Sequence, residues 1–274
     1  MRKYFKDKDN FECIIKSHFP NAKSYNLIQT GWTNYVFKVK NNNQEYFFRF
    51  PRNTFFANAL IKETQFLKFI SSKVTVKVPH LKLFYKNKRP YSIHKSIKGE
   101  SLSDCYNNLT HQQKEILAKD IINFLQELES IDLNKYNNIK FQKVSDFLDN
   151  LSKVSKNNYD ITMHNYLKQL ENQNLCISHG DFNPGNLILK NGKLVAVIDF
   201  AFAGVSHKLT DISRILGRTP KDFEKYILQE FKQKNYKIDK KQLKKLNFLW
   251  QYVEEQYIKY IKQNHPTIKL PTLV

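Results

Sequence analysis

CISHGDFNPGNLILKNGKLVAVIDFAFAGVSHKLTD, residues 176–211, decides the fold. The apolar run Leu175–Ser178 reads as a strand and leads into His179-Gly180-Asp181, then Phe182-Asn183-Pro184-Gly185-Asn186. Leu187–Leu189 reads as a second strand, Asn191-Gly192 as a two-residue turn, and the apolar run ending in Ile198-Asp199-Phe200 as its partner. Asn-Gly between two apolar runs is the strongest short hairpin signal, because both central residues of the favoured turn take positive φ. That hairpin predicts Asn186 at the start of one strand and Asp199 at the end of the other, both facing the loop that carries Asp181.

Three short polar residues so gathered suit one chemistry. An Asp in such a loop accepts the proton of an attacking hydroxyl, while an Asn five residues on and an Asp at a strand end hold magnesium against nucleotide phosphates. Carboxylate and amide oxygens are hard ligands, and magnesium needs only one or two of them beside water and phosphate. A lone loop Asp is ordinarily structural. H-G-D-x-x-x-x-N followed by I-D-F argues against coincidence.

This pattern resembles the aminoglycoside phosphotransferase family, a branch of the protein-kinase-like fold that also contains macrolide, choline and other small-molecule kinases. Protein kinases typically carry His-Arg-Asp and Asp-Phe-Gly; here stand His179-Gly180-Asp181 and Asp199-Phe200-Ala201, which points to a small-molecule substrate. The resemblance implies Asp181 as the catalytic residue, Asn186 and Asp199 as magnesium ligands, and His179 and Asp211 as structural support, Asp211 bracing the catalytic loop. The family usually has Gly-Asp-Pro ahead of that Asp. This chain has Ser206-His207-Lys208, and so lacks an acidic group near the substrate side.

Working back toward the N-terminus, residues 10–18 read as a short amphipathic helix, and Tyr25–Gln29, Asn34–Lys40 and Glu45–Phe50 as strands. Gly31-Trp32-Thr33-Asn34 resembles the phosphate-covering loop of antibiotic kinases, which implies Thr33 and Asn34 as phosphate donors. In Phe47-Phe48-Arg49-Phe50-Pro51-Arg52 the alternation puts Phe48 and Phe50 on one strand face and Arg49 on the other. On the resemblance, which is nearest the 2″-aminoglycoside branch in this stretch and in Ile97-Lys98-Gly99, Arg49 takes the place of the phosphate-clamping lysine. Glu63, on a helix expected over Thr54–Ser72, becomes its acidic partner. A hairpin is expected at Leu81–Tyr85 and Tyr91–Ile97, turning within residues 86–90. On the same register His94 walls the back of the nucleotide pocket, and Lys95 and Ile97 offer backbone groups to the base.

From residue 103 the pattern turns helical. Thr110-His111-Gln112-Gln113 is a capping-box signature opening a helix to about Ser130. Further helices are expected near Val144–Lys153 and Tyr159–Glu171, with Asn-rich loops between. Thr219-Pro220-Lys221-Asp222 reads as a helix start with Thr219 as cap. A last helix, about Lys240–Gln263, carries Leu246, Trp250, Val253, Tyr257 and Tyr260 along one stripe, read as core. Trp250, Glu254 and Glu255 are the candidates to meet a cationic substrate, since the family places substrate contacts on its final helices.

At 274 residues and 41% hydrophobic, the chain has ample material for a core. The formal charge of +20 raises nucleic acid as a partner, so its distribution matters. Residues 1–100 carry +14, residues 101–180 carry −2 and residues 181–274 carry +8. A centre that is not basic, with no aromatic-and-basic motif, makes nucleic acid an unexpected partner, and no apolar run approaches membrane-span length, so no membrane is expected. Three widely spaced cysteines and an N-terminus without an apolar core fit a reducing cytoplasm.

The expectation is an α+β, bilobal protein-kinase-like fold. An antiparallel N-terminal sheet with a helix forms a nucleotide-binding lobe over 1–94, and a mainly helical catalytic and substrate-binding lobe covers 95–274. It implies a kinase that uses Mg2+ and ATP or GTP to phosphorylate a small-molecule hydroxyl, foremost that of an aminoglycoside. A macrolide, choline-like or sugar acceptor, or a catalytically silent nucleotide-binding protein, is the alternative.

Overall fold

The structure, a computed structural model, describes residues 4–6, 9–29, 33–136, 142–146, 149–150, 161–172, 175–236 and 238–264. Gly31-Trp32, the Asn137-Asn138 and Asn157-Asn158 loops and part of the helix expected at Val144–Lys153 lie outside these residues. The chain divides into two compact units. One holds the residues up to Lys68 with Pro79–Ile97 and the chain from Ile258; the other holds Phe69–Val78 and Lys98–Tyr257.

The first unit is built on a five-stranded sheet. Its strands are β1 (Ser24–Ile28), β2 (Asn34–Asn41), β3 (Gln44–Pro51), β4 (Lys82–Lys86) and β5 (Arg89–Lys95), in the order β1-β2-β3-β5-β4. Every pairing is antiparallel. The β2–β3 hairpin turns with Asn42 at φ 53°, and the β4–β5 hairpin with Asn87 and Lys88 at 51° and 63°. Asn is among the few side chains that tolerate this left-handed backbone. Helix α1 (Phe11–His18) is capped by the Asn10 side chain, which accepts the Cys13 N–H at 3.0 Å. Its Phe11, Ile14 and Ile15 join Phe48 and Phe50 in an aromatic core. Phe48 and Phe50 are fully buried, as the alternation along β3 requires, and this turns Arg49 to the other face. Helix α2 (Thr54–Ile70) follows β3 and carries Glu63.

In the second unit, β6 (Glu100–Ser101) leads into the one-turn α3 (Leu102–Cys105) and then α4 (His111–Glu129). The capping box opening α4 is complete: Thr110 Oγ1 accepts the Gln113 N–H at 3.2 Å, and Gln113 Oε1 accepts the Thr110 N–H at 2.9 Å. Then come α5 (Ile161–Leu170), β7 (Leu175–Ser178), β8 (Leu187–Lys190), β9 (Lys193–Val197), β10 (Gly204–His207), α6 (Leu209–Leu216), α7 (Lys221–Gln233) and α8 (Lys240–Asn264), the last belonging to this unit as far as Tyr257. Strands β6, β8 and β9 form one small sheet, and β7 with β10 another.

One local reading is corrected, and one strand is new. Thr219 does not cap α7: its Oγ1 donates to the Ile215 carbonyl at 2.9 Å, and Pro220 stands in the cap position without a side-chain bond. The hydroxyl closes the end of α6 instead of opening the next helix. Strand β10 carried no sequence signal, because Gly204-Val205-Ser206-His207 is short and polar. It exists by pairing with β7, and Ser206 is buried there, donating to Glu171 Oε1 at 2.7 Å. Ser206 and His207, the departure from Gly-Asp-Pro, are thus strand residues buried in the core. Among the described residues, no helix is long and apolar enough to cross a membrane. Cys13, Cys105 and Cys176 are free thiols.

Candidate active site

The second unit gathers its polar residues around the loop between β7 and β8. Gly180 has φ +78°, and a Cβ there would lie 2.2 Å from the Phe202 carbonyl oxygen. Only glycine meets both conditions, so the Gly between His179 and Asp181 is a backbone requirement. The turn exposes two N–H groups, and both end on one buried side chain: His179 N–H reaches Asp211 Oδ2 at 2.7 Å and Gly180 N–H reaches Oδ1 at 3.0 Å. Asp211 sits at the start of α6 and is only 4% exposed. Burial pushes its carboxyl above the usual range, against the pull of the nearby His179 and these two donors. His179 is fixed as well. Its Nε2 lies 2.9 Å from the Ile198 carbonyl, and the Asp181 N–H donates to its Nδ1 at 3.2 Å. A carbonyl only accepts and an amide N–H only donates, so the ring presents a hydrogen on Nε2 to Ile198.

Asn186 closes the loop. Its Nδ2 donates to the Asp181 carbonyl at 2.9 Å, and it lies 3.4 Å from Asp181 Oδ2. With the amide nitrogen spent this way, Oδ1 is the atom left to serve as a ligand. The Asn186 carbonyl accepts the Ile198 N–H at 2.9 Å, and β8–β9 pairs Leu187 with Val197. The hairpin therefore sets residue 186 beside residue 198, with Asp199 next in the chain. Asp199 has φ 62°, a left-handed conformation that costs a non-glycine residue energy and is tolerated best by Asp and Asn. Asn191 and Gly192 take φ 55° and 76°, as the Asn-Gly turn demands.

One partner of Asp181 was not among the residues expected at the site. Arg214 donates from Nε and Nη2 to Asp181 Oδ1, at 3.2 and 2.8 Å. Burial alone would raise the Asp181 carboxyl, yet the Arg214 guanidinium holds it below the usual carboxylate range. Arg214 Nη1 also lies 3.7 Å from Glu254 Oε2, and Arg218 pairs with that same oxygen. Burial, with the neighbouring Arg214, brings Arg218 down to about 10, so it stays charged at neutral pH. Trp250 is 4% exposed, the Arg214 guanidinium carbon stands 5.5 Å from its ring centroid, and its indole N–H has no acceptor among the described residues. Of the residues singled out on the last helix, Trp250 and Glu254 thus join the Asp181 cluster through Arg214, while Glu255 is exposed. The signal for Arg214 was spacing: it follows Asp211 by three, one helical turn on the same face.

The first unit holds a second group. Arg49 on β3 donates to Glu63 Oε1 at 2.8 Å; their side chains are 11% and 1% exposed. A pair this dry leaves a buried charge if either partner is removed. His94, on β5 opposite Phe47, stacks on that ring at 5.4 Å. Asn34 is 3% exposed and donates to Thr33 Oγ1 at 2.8 Å. Lys95 is exposed at the end of β5, and Ile97 is half-buried just past it.

His94 gives a pH prediction. Burial, and then the charge of Arg49, pushes its imidazole down to about 3, so the folded chain keeps it neutral. The unfolded chain protonates it near its ordinary value, about 6.5. Stability present above that value is therefore lost as pH falls from about 6.5 toward 3, by at most about 1.4 kcal/mol per pH unit for this one group. Urea unfolding at pH 7 and pH 5 should show a shallower acid loss in His94→Gln than in the parent. Equal losses would remove His94 from the account.

Asn186 and Asp199 fit magnesium: one amide oxygen and one carboxylate, both hard donors, at the end of one hairpin. No cluster of three or more His, Cys, Asp or Glu suited to a metal occurs among the described residues, and a nucleotide-borne ion does not need one.

Residues 24–243 match the phosphotransferase enzyme family. Among solved structures, an aminoglycoside 2′-phosphotransferase-IIIa in complex with GDP shares 19% identity, with 96% of this chain and 95% of that one covered and a TM-score of 0.70. An APH(2″)-IIa ternary complex with streptomycin and ATP shares 19%, over 92% and 91% of the two chains, at TM-score 0.65. A macrolide 2′-phosphotransferase from Brachybacterium faecium shares 11%, over 94% and 97%, at TM-score 0.61. No curated protein sequence matches the chain. At these identities the structures establish a shared fold, the protein-kinase-like α+β fold of small-molecule kinases.

Proposed function

The chain belongs to the phosphotransferase enzyme family, and from that premise we propose that it moves the γ-phosphoryl group of ATP or GTP to a hydroxyl of an aminoglycoside-type antibiotic. The observation that carries the reading is the Asp181 loop, bound to Asn186 within itself and to Ile198, the neighbour of Asp199, through His179. Loop transfer chemistry of this kind is mostly alignment and charge neutralisation, with little covalent work for the protein. Asp181 orients the acceptor hydroxyl and takes its proton. The acceptor oxygen bonds to the γ-phosphorus, the bond from that phosphorus to the β–γ bridging oxygen breaks, and nucleoside diphosphate leaves.

Arg49, set by Glu63, holds the α- and β-phosphates; a guanidinium suits this because it binds phosphate with two prongs. Thr33 and Asn34 lie at the start of β2, where the phosphate-covering loop of such kinases enters its strand. His94 walls the base pocket, and Lys95 and Ile97 offer it backbone groups. Magnesium, held by Asn186 and Asp199, would neutralise phosphate charge. Three free thiols agree with a cytoplasmic location.

The acceptor class is supported by the aminoglycoside complexes among the structural neighbours. A panel of aminoglycosides, macrolides and amino alcohols, each with ATP and with GTP and scored by product mass, tests it. Phosphorylated aminoglycoside is the expected product; phosphate on a macrolide or amino alcohol alone would replace the acceptor and keep the reaction. Asp199→Asn leaves the left-handed backbone acceptable and removes a charged ligand. Calorimetry should show magnesium-nucleotide affinity falling about tenfold or more, with metal-free binding unchanged. An unchanged affinity would take Asp199 off the metal.

A further inference from the structure

We propose that Arg214 is a positioning residue for phosphoryl transfer: it commits one oxygen of Asp181 and leaves the other aimed at the acceptor hydroxyl. This rests on the kinase reading above and adds a residue that the H-G-D and I-D-F patterns do not contain. Helix α6 grips the catalytic loop twice from one face. Asp211 holds the loop backbone through the His179 and Gly180 N–H groups, and Arg214, one turn later, reaches the Asp181 side chain.

The grip is asymmetric. Both donors of Arg214 end on Oδ1, at 3.2 and 2.8 Å, whereas Asn186 Nδ2 reaches Oδ2 at 3.4 Å, too long for a strong bond, and the Asn183 side chain adds a smaller pull on the carboxyl. An Asp carboxylate otherwise turns broadly about its last torsion. Two prongs on one oxygen stop that rotation and fix where Oδ2 points. Near-attack alignment is the main thing this reaction asks of the protein.

Arg214 is itself held. Its side chain is 13% exposed, and it lies over Trp250 and beside Glu254, which Arg218 also binds. A lysine has no planar fork to divide among these partners, so it cannot take over the role. Seen this way, Trp250, Glu254 and Arg218 act on the reaction through Arg214.

The test uses the full chain with magnesium and ATP or GTP, with water as acceptor for basal hydrolysis and kanamycin for transfer. Arg214→Ala should lower kcat about 10- to 10²-fold, with the nucleotide KM within about threefold, and Arg214→Lys should stay low. The decisive arm is the double variant. If Arg214 works through Asp181, adding Arg214→Ala to Asp181→Ala costs nothing further, and added guanidinium ion rescues only the single Arg214→Ala variant. Thermal melts of all variants keep a folding defect from passing as a kinetic one. Unchanged kcat in Arg214→Ala, full activity in Arg214→Lys, or an equal extra loss in the Asp181→Ala background overturns the proposal while the kinase reading stands. A parent chain with no Asp181-dependent turnover on either acceptor overturns both.

Discussion

Asp181→Ala is expected to lower phosphoryl transfer by about 10²-fold or more, the scale of losing a positioned general base, while nucleotide binding stays within a few-fold of the parent. The loss has two parts. The acceptor hydroxyl loses the oxygen that aligns it, and the proton released as the new bond forms loses its first destination. Asp181→Asn separates them: an amide still accepts the Arg214 donors on one oxygen and preserves the packing, but takes no proton at neutral pH. Both variants should therefore be slow, the amide less so where alignment dominates. Folding should change little, because Arg214 keeps Glu254 at 3.7 Å when Asp181 is gone. Steady-state rates on the acceptor found in the panel decide the matter, and a wild-type rate in Asp181→Ala removes the residue from the mechanism.

The second large effect is on stability. Asp211→Ala strips the acceptor from the buried His179 N–H and leaves the Gly180 N–H with only the Ser178 Oγ at 3.2 Å. A stranded donor costs about 1–3 kcal/mol and the weakened Gly180 bond adds to it, so the unit should lose about 2–4 kcal/mol. At about 2–4 °C per kcal/mol for a body of this size, its melting temperature should drop by roughly 10 °C. Asp211→Asn should fall between, because its oxygen keeps one N–H while its NH2 faces the other. Whatever remains folded should also turn over slowly, since the slackened backbone is the one that carries Asp181. A melting temperature within about 2 °C of the parent would show that the two donors find other partners.

How much of this was legible beforehand depended on whether the signal was local. The Asn-Gly turn, the Thr110–Gln113 box and the alternation along Phe47–Phe50 each state a short-range rule, and each reads off a few neighbouring residues. The bounds of β3, α4 and β8 came out within a residue, while β9 stops at Val197, short of Ile198-Asp199-Phe200. Thr219 misled because its hydroxyl had two local uses, and the carbonyl at the end of α6 won. Strand β10 was illegible for the opposite reason. Nothing in Gly204–His207 favours a strand until Leu175–Ser178, a distant segment, lies alongside.

Residue order was enough to expect the phosphotransferase family, which the match over residues 24–243 shows, and the hairpin that sets Asn186 beside Ile198. Spacings of five residues and a two-residue turn leave the backbone little choice. Residue order could not say what holds the reactive carboxylate. Asp181 and Arg214 are separated by 33 positions, and Arg214 to Glu254 spans still more chain. Whether such residues touch depends on how α6 and α8 pack around the loop, which no neighbour in the chain encodes. The same packing puts both Arg214 donors on one Asp181 oxygen and only the 3.4 Å Asn186 contact on the other.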